Sequence, residues 1–275
     1  MSDSSNQVAV PNPQPSATSP TRDLWGPLPP VVEADEIRQW IVEEDDDLLV
    51  INKPGWLVCH PSKNGPTSSL VGAVRTYLGY DKLHLVSRLD RETSGLILFA
   101  KNKHSARRYQ MALQHRQVEK TYLALLEGVM QQPLEVDKPL TADKHSPVHI
   151  QQKVVASGGE NLPTAHTRFV PQVSGPAHTL CEVHPITGRK HQIRAHAQFI
   201  GFPIVGDKLY GPDPLLYLRF IESGWTDEHA QKLAMQRQAL HCTQLCFQFP
   251  DGSSRSFNAP APDDFANACQ QLIHC

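Results

Sequence analysis

The chain predicts an α+β fold, or a mixed-sheet α/β one, and three observations carry that expectation. Apolar runs of about six residues, the length of buried strands, recur between Gly, Pro, Asn and Asp turn signals. Amphipathic stretches of helical period lie between some of them, without the steady βαβ rhythm of a doubly wound sheet. The 275 residues are 40% hydrophobic and 20% charged, enough to bury a core and far from collagen-like or wholly disordered compositions.

The elements follow in chain order. Residues 1 to about 30 hold seven prolines among Ser, Thr and Asn and lack apolar periodicity, so they cannot offset their ordering entropy. We draw a disordered, Pro/Ser-rich acidic leader over residues 1–40 and a single domain over 41–275. Asp47–Asn52 reads as a buried strand stopped by Lys53-Pro54-Gly55, and Leu96–Ala100 as a second, entered through Thr93-Ser94-Gly95. His104 to about Gln117 fits a helix with Tyr109 and Leu113 on its packed side. Lys120–Leu126 is a strand ended at Gly128, Thr179–His184 another, and Lys190–Ile200 a helix stopped by Gly201. Leu240–Phe249 closes the set, turned by Pro250-Asp251-Gly252.

Charge is unevenly spread. The formal net charge is −2, yet residues 1–50 carry ten acids against two bases, which leaves residues 51–275 at +6. Six bases (Lys101, Lys103, Arg107, Arg108, Arg116, Lys120) crowd residues 101–120, and such a stretch suits a polyanion, nucleic acid being the commonest. No apolar run reaches the roughly 20 residues of a membrane span. The opening residues lack the basic and apolar regions of a secretory signal. Six irregularly spaced cysteines in a chain of this size fit free thiols in the cytoplasm.

Several chemistries are excluded by missing motifs: there is no phosphate loop, dinucleotide fingerprint or serine elbow. Ser94 has no identifiable triad partners. His191 and His196, five apart on the expected helix, point away from each other, and Cys242 and Cys246, on one face if 240–249 is a strand, would be roughly 13 Å apart; only a helix there would bring them within reach of one metal. We therefore assign no metal.

The segment Ser87-Arg88-Leu89-Asp90-Arg91-Glu92-Thr93-Ser94-Gly95 is unusual. An aspartate lies between two arginines and runs directly into a tight turn and a buried strand. In an extended chain Arg88 and Asp90 project to one face and Arg91 to the other. Flanking guanidinium charge favours the carboxylate and lowers its pKa, fixing an anion beside cations.

This window resembles the R-L-D-x-x-T-S-G signature of the RluA-like pseudouridine synthases. Asn52-Lys53-Pro54 through His60-Pro61 is similar to that family's lysine-proline motif, and Lys120-Thr121-Tyr122-Leu123-Ala124 to its K-x-Y-x-A. Thr187-Gly188-Arg189-Lys190-His191-Gln192-Ile193-Arg194-Ala195-His196 and Gly201-Phe202-Pro203-Ile204-Val205-Gly206-Asp207 resemble the two motifs that follow. The likeness runs in order from about Val42 to Phe249. Ser87 stands where histidine is usual, Gly55-Trp56 departs after Lys-Pro, and Lys190 replaces a small polar residue.

The resemblance implies a mixed, largely antiparallel central sheet flanked by helices, the pseudouridine synthase fold. Residues 41–275 would be the catalytic domain, with no S4 domain ahead of them. It implies an enzyme that moves the ribose link of specific uridines in tRNA or rRNA from N1 to C5, without a cofactor. Asp90 would be the nucleophile, Tyr122 a stacking face and possible general base, and Arg194 the partner that holds Asp90. Arg88 would fill the space left by a flipped base. Arg91, Thr93, Ile193, Lys53 and His191 would support the site or touch RNA. RNA is the expected partner, with no membrane association, and the protein is expected to be a monomer. Two other readings start from the same residues: a non-catalytic RNA-binding protein on this fold, and a glycosidase that would need Glu92 as its second acid.

Overall fold

The structure, a computed structural model, describes residues 23–60, 65–156 and 161–274. The first half of the chain runs α1 (Ala34–Trp40), β1 (Ile41–Glu44), β2 (Leu48–Lys53), α2 (Leu70–Leu78), β3 (His84–Leu85), β4 (Ser94–Ala100), α3 (Lys103–Gln114) and β5 (Val118–Glu127). The second half adds β6 (Leu134–Asp137), β7 (Leu140–Ala142), β8 (Gln152–Val154), β9 (His166–Ser174), β10 (His178–Pro185) and α4 (Gln192–Phe199). It finishes with α5 (Leu215–Ser223), α6 (Asp227–Lys232), β11 (Leu240–Gln248), β12 (Ser254–Asn258) and α7 (Asp263–Ile273).

Ten strands form one sheet, in the order β1-β2-β4-β11-β5-β10-β9-β6, with β12 added on β11 and β3 on β4; β7 and β8 pair separately. Strand β11 runs parallel to β4, and the other paired strands of this sheet are antiparallel. The expected α+β architecture is therefore present.

Strand β4 is buried along its whole length, and its alternation feeds two cores. Leu96, Leu98 and Ala100 join Val50, Tyr109 and Phe247 on the α3 side, while Ile97 and Phe99 join Leu49, Ile51 and the apolar face of α2 on the other. A third core lies between β5, β10, α4 and α7. Helix α3 starts where the Asn102 side chain accepts the Ser105 N–H at 2.9 Å. It ends at Gln114, three residues earlier than the sequence suggests, because Arg116 turns left-handed at φ 57°.

The leader boundary needs correction. Residues 1–22 lie outside the described residues, but from Trp25 onward the chain is built into the body. Trp25 packs against Phe220 at 6.3 Å between ring centres, its carbonyl accepts the Trp225 N–H at 2.8 Å, and Val32 and Ile37 are buried. Composition hid this, because a few large apolar side chains among prolines and acids suffice to anchor a short segment.

Strand β11 carries a second difference. Cys242 pairs with Tyr122 but Gln244 pairs with Thr121, so a bulge at Thr243 shifts the alternation by one. Cys242, Leu245 and Phe247 face one side and Cys246 the other, where its thiol lies 3.2 Å from the Ser256 hydroxyl. The two cysteines do not share a face.

Candidate active site

Asp90 ends an irregular segment and opens the turn into β4, where its carbonyl accepts the Thr93 N–H at 3.2 Å. The turn can enter the middle of the sheet because residue 95 is glycine. Its φ is 113°, and a Cβ there would sit 2.2 Å from the Cys242 carbonyl oxygen on β11.

The turn is pinned from behind. Lys53 Nζ, fully buried, donates to the carbonyls of Pro54 (2.7 Å), Leu57 (2.9 Å) and Arg91 (3.0 Å), and burial pushes its pKa down to about 8. Glu92 accepts from Lys208 Nζ at 2.9 Å, Arg237 donates to the Glu92 carbonyl at 3.3 Å, and Thr93 Oγ1 accepts from the Gln238 amide at 2.6 Å. Lys208 also lies 4.4 Å from the Phe220 ring centre and 5.5 Å from those of Trp25 and Trp225. Glu92 is thus a structural ion-pair partner, which removes the carboxylate a glycosidase would require. Ser94 is equally structural: its hydroxyl lies 3.0 Å from His241 Nδ1, both residues being fully buried.

Arg194 reaches Asp90 from α4, 104 residues along the chain, with Nη1 donating to Oδ2 at 2.9 Å. Its Nε and Nη2 donate to Asp207 at 2.7 and 2.9 Å, and its guanidinium carbon lies 4.9 Å from the Tyr210 ring centre. Asp207 is itself fixed, Oδ1 also accepting the Leu209 and Tyr210 N–H groups at 2.9 and 3.0 Å. A charge-assisted fork anchored this way leaves Arg194 little rotamer freedom.

Burial works to raise the Asp90 carboxyl, but the Arg194 guanidinium, with help from His191, outweighs it and holds the group below the usual carboxylate range. The anion is therefore held by a residue far away in sequence, not by its neighbours. Arg91 points to the opposite side, where Nε donates to the Trp56 carbonyl at 3.1 Å and the guanidinium lies 5.3 Å from the Phe220 ring centre.

Asp90, Tyr122 and Arg194 line one cleft of about 590 Å³, together with Arg88, Thr93, His191 and Ile193. Lys53 and Arg91 do not reach it. Asp90 remains 31% exposed to it. Tyr122 shares a hydrogen bond with Cys242, and burial first, then Cys242, pushes its phenol well above 10. It stays protonated at neutral pH, which disfavours the general-base role. Of the basic stretch, Arg116 and Lys120 line the cleft, whereas Lys101 pairs with Glu44 at 2.7 Å and Arg108 with Asp251 at 3.0 Å. Asp207 and Tyr210 received no role from sequence, although Asp207 ends a matched motif; Lys208, Arg237 and Gln238 gave no signal at all.

A carboxylate gripped by arginine in a cation-lined cleft, on this largely antiparallel sheet, marks the class: the family described as RNA pseudouridylate synthase matches residues 47–199. Ribosomal large subunit pseudouridine synthase D of Haemophilus ducreyi is 33% identical over 84% of this chain and 70% of its own length. That of Yersinia pestis is 35% identical over 86% and 71%. Two human structures are also similar. RNA pseudouridylate synthase domain containing 4 has a TM-score of 0.65 and 27% identity, covering 87% of this chain and 95% of that one. Domain containing 1 has a TM-score of 0.62 and 25% identity, covering 81% and 83%. The chain belongs to the RNA pseudouridylate synthase family and is an RNA pseudouridine synthase.

Proposed function

We propose that this enzyme isomerises uridine in ribosomal RNA, the substrate named for its bacterial relatives. Asp90 is the nucleophile, Arg194 holds its rotamer and charge, and Tyr122, as the neutral phenol, supplies a stacking plate for the uracil. Arg88, at the cleft rim, occupies the space of the flipped base, while Thr93 and Ile193 shape the site. Lys53 and Arg91 act only by holding the turn. The arrangement of Asp90, Arg194 and Tyr122 around one cleft is the observation that carries this reading.

The catalytic domain occupies residues 41–275, with the segment from Trp25 packed onto it. The protein works as a monomer in the cytoplasm; Cys59, Cys181, Cys242, Cys246 and Cys269 are free thiols. No helix among the described residues is long and apolar enough to cross a membrane.

The test is tritium release from uracil-5-tritiated transcripts of large-subunit ribosomal RNA and from bulk tRNA. Release from the ribosomal transcript by wild type, and at least 1,000-fold less by Asp90→Ala, is expected. Release from tRNA alone overturns the substrate, and full release by Asp90→Ala overturns the assignment of Asp90.

A further inference from the structure

One polar side chain faces the Asp90 carboxylate without a contact short enough to be a hydrogen bond. His191 Nε2 lies 3.9 Å from Asp90 Oδ2, the same oxygen that accepts from Arg194. His191 sits at φ 56°, a left-handed conformation that a non-glycine residue adopts only when its surroundings impose it.

Those surroundings are well tied. Gln192 Oε1 accepts from the Thr187 hydroxyl at 2.6 Å and from the Arg189 N–H at 3.0 Å, while Gln192 Nε2 donates to the His166 carbonyl and Thr167 Oγ1, each at 2.9 Å. The loop from Thr187 to His191 is stapled to β9, and its strained end aims the imidazole into the cleft.

The hydrogen bonds of Tyr210 set the tautomer. The Tyr210 hydroxyl accepts the Gln152 backbone N–H at 2.8 Å and lies 3.0 Å from His191 Nδ1. A backbone N–H can only donate, so the hydroxyl hydrogen is free for another acceptor, and His191 Nδ1 is the one in reach among the described residues. The hydroxyl oxygen has room for a second N–H, but an Nδ1–H would leave the hydroxyl hydrogen without an acceptor among the described residues, so Nδ1 accepts and the imidazole proton is on Nε2, pointing toward Asp90.

We propose that His191 is a positioning residue for Asp90: a neutral imidazole, locked by Tyr210 as the Nε2–H tautomer, whose N–H closes on Oδ2 when substrate binds. Both donors then engage Oδ2, and Oδ1 is the oxygen presented to the uridine. An approach of about 1 Å makes the bond, the kind of tightening that catalytic hydrogen bonds undergo in the substrate complex. Neutrality fits the surroundings. Burial and Arg194 push His191 down to about 4, with Lys190 in the same direction, against Asp90 and Asp207. The inference rests on the functional reading above, with Asp90 as the acting carboxylate.

Two readouts test it. In the free protein, nitrogen NMR of labelled histidine, assigned by loss of the His191→Phe signal, should show an Nε2–H imidazole that stays neutral down to about pH 4; Tyr210→Phe should erase the tautomer preference. In single-turnover and steady-state assays, His191→Phe should lower kcat at least tenfold with KM within twofold and thermal stability unchanged. His191→Gln, which restores an N–H near the Nε2 position, should recover most of that loss, and Tyr210→Phe should fall between them. An Nδ1–H tautomer, unchanged kcat in His191→Phe, or equal impairment of the Phe and Gln variants overturns the inference. The NMR readout needs no turnover. A wild type that releases no tritium brings down the functional reading, and the wrong tautomer brings down only this one.

Discussion

A buried carboxylate, Asp207, and one open to the cleft, Asp90, share one guanidinium in this site, and the imbalance decides how each residue can be changed. Arg194 serves Asp207 through two bonds and Asp90 through one, so the Asp207 pair is the anchor and the Asp90 contact the single bond on the cleft side. Asp207→Asn leaves the Arg194 charge buried and half-partnered, at a cost of about 3–5 kcal/mol in denaturant unfolding. Arg194→Lys keeps the charge but cannot span both carboxylates, so kcat should fall at least tenfold with the RNA dissociation constant little changed. Both carboxyls are held below 3.8 in the folded protein. Their contribution is therefore complete above the ordinary carboxylate value and is lost as pH falls below it. Acid unfolding of wild type should begin below about pH 4, and Asp207→Asn should flatten that limb; a pH titration of stability measures both.

At the level of elements, the parallel contact of β4 with β11 places the Asp90 turn against the floor that carries Tyr122. Gly95→Ala would drive a Cβ into the Cys242 backbone at a left-handed position, with an expected loss of at least about 2 kcal/mol. Phe99→Ala, emptying the core behind the same strand, should cost about 3–5 kcal/mol, while a mild urea midpoint shift would contradict the packing described. Strands with continuous apolar runs, such as β4 and β5, were legible in the sequence, as were the start of α3 and the body of α4. Helices α1, α2, α5, α6 and α7 and the strands β6 to β9 were not, being short or only half-buried. The Thr243 bulge was invisible because alternation is read one residue at a time, whereas a bulge is a property of two paired strands. The same limit hid the site's supports. Local sequence placed Arg88 and Arg91 beside Asp90, but three of the residues that hold the turn with Lys53, namely Lys208, Arg237 and Gln238, join it from more than 100 positions away. The family motifs pointed to Arg194 where spacing could not.

Over the whole molecule, charge is sorted between structure and cleft. The acidic run Glu43–Asp47 is spent partly on Lys101 and Arg255, so part of the positive body is neutralised within the fold. What remains toward the cleft includes Arg88, Arg116, Lys120 and Arg189. RNA affinity should fall steeply with salt, and Lys120→Gln or Arg116→Gln should each reduce the slope of log affinity against log salt by about 0.7 if the residue meets one phosphate. An unchanged slope would remove that residue from the RNA path. Turnover is expected to depend on the Asp90 carboxylate in the grip of Arg194. Pseudouridine mapping at nucleotide resolution, on ribosomal RNA incubated with wild type or Asp90→Asn under conditions where both bind, tests it most directly. Modified uridine is expected with wild type and none with Asp90→Asn; the same position modified at the same rate by both would remove Asp90 from the reaction.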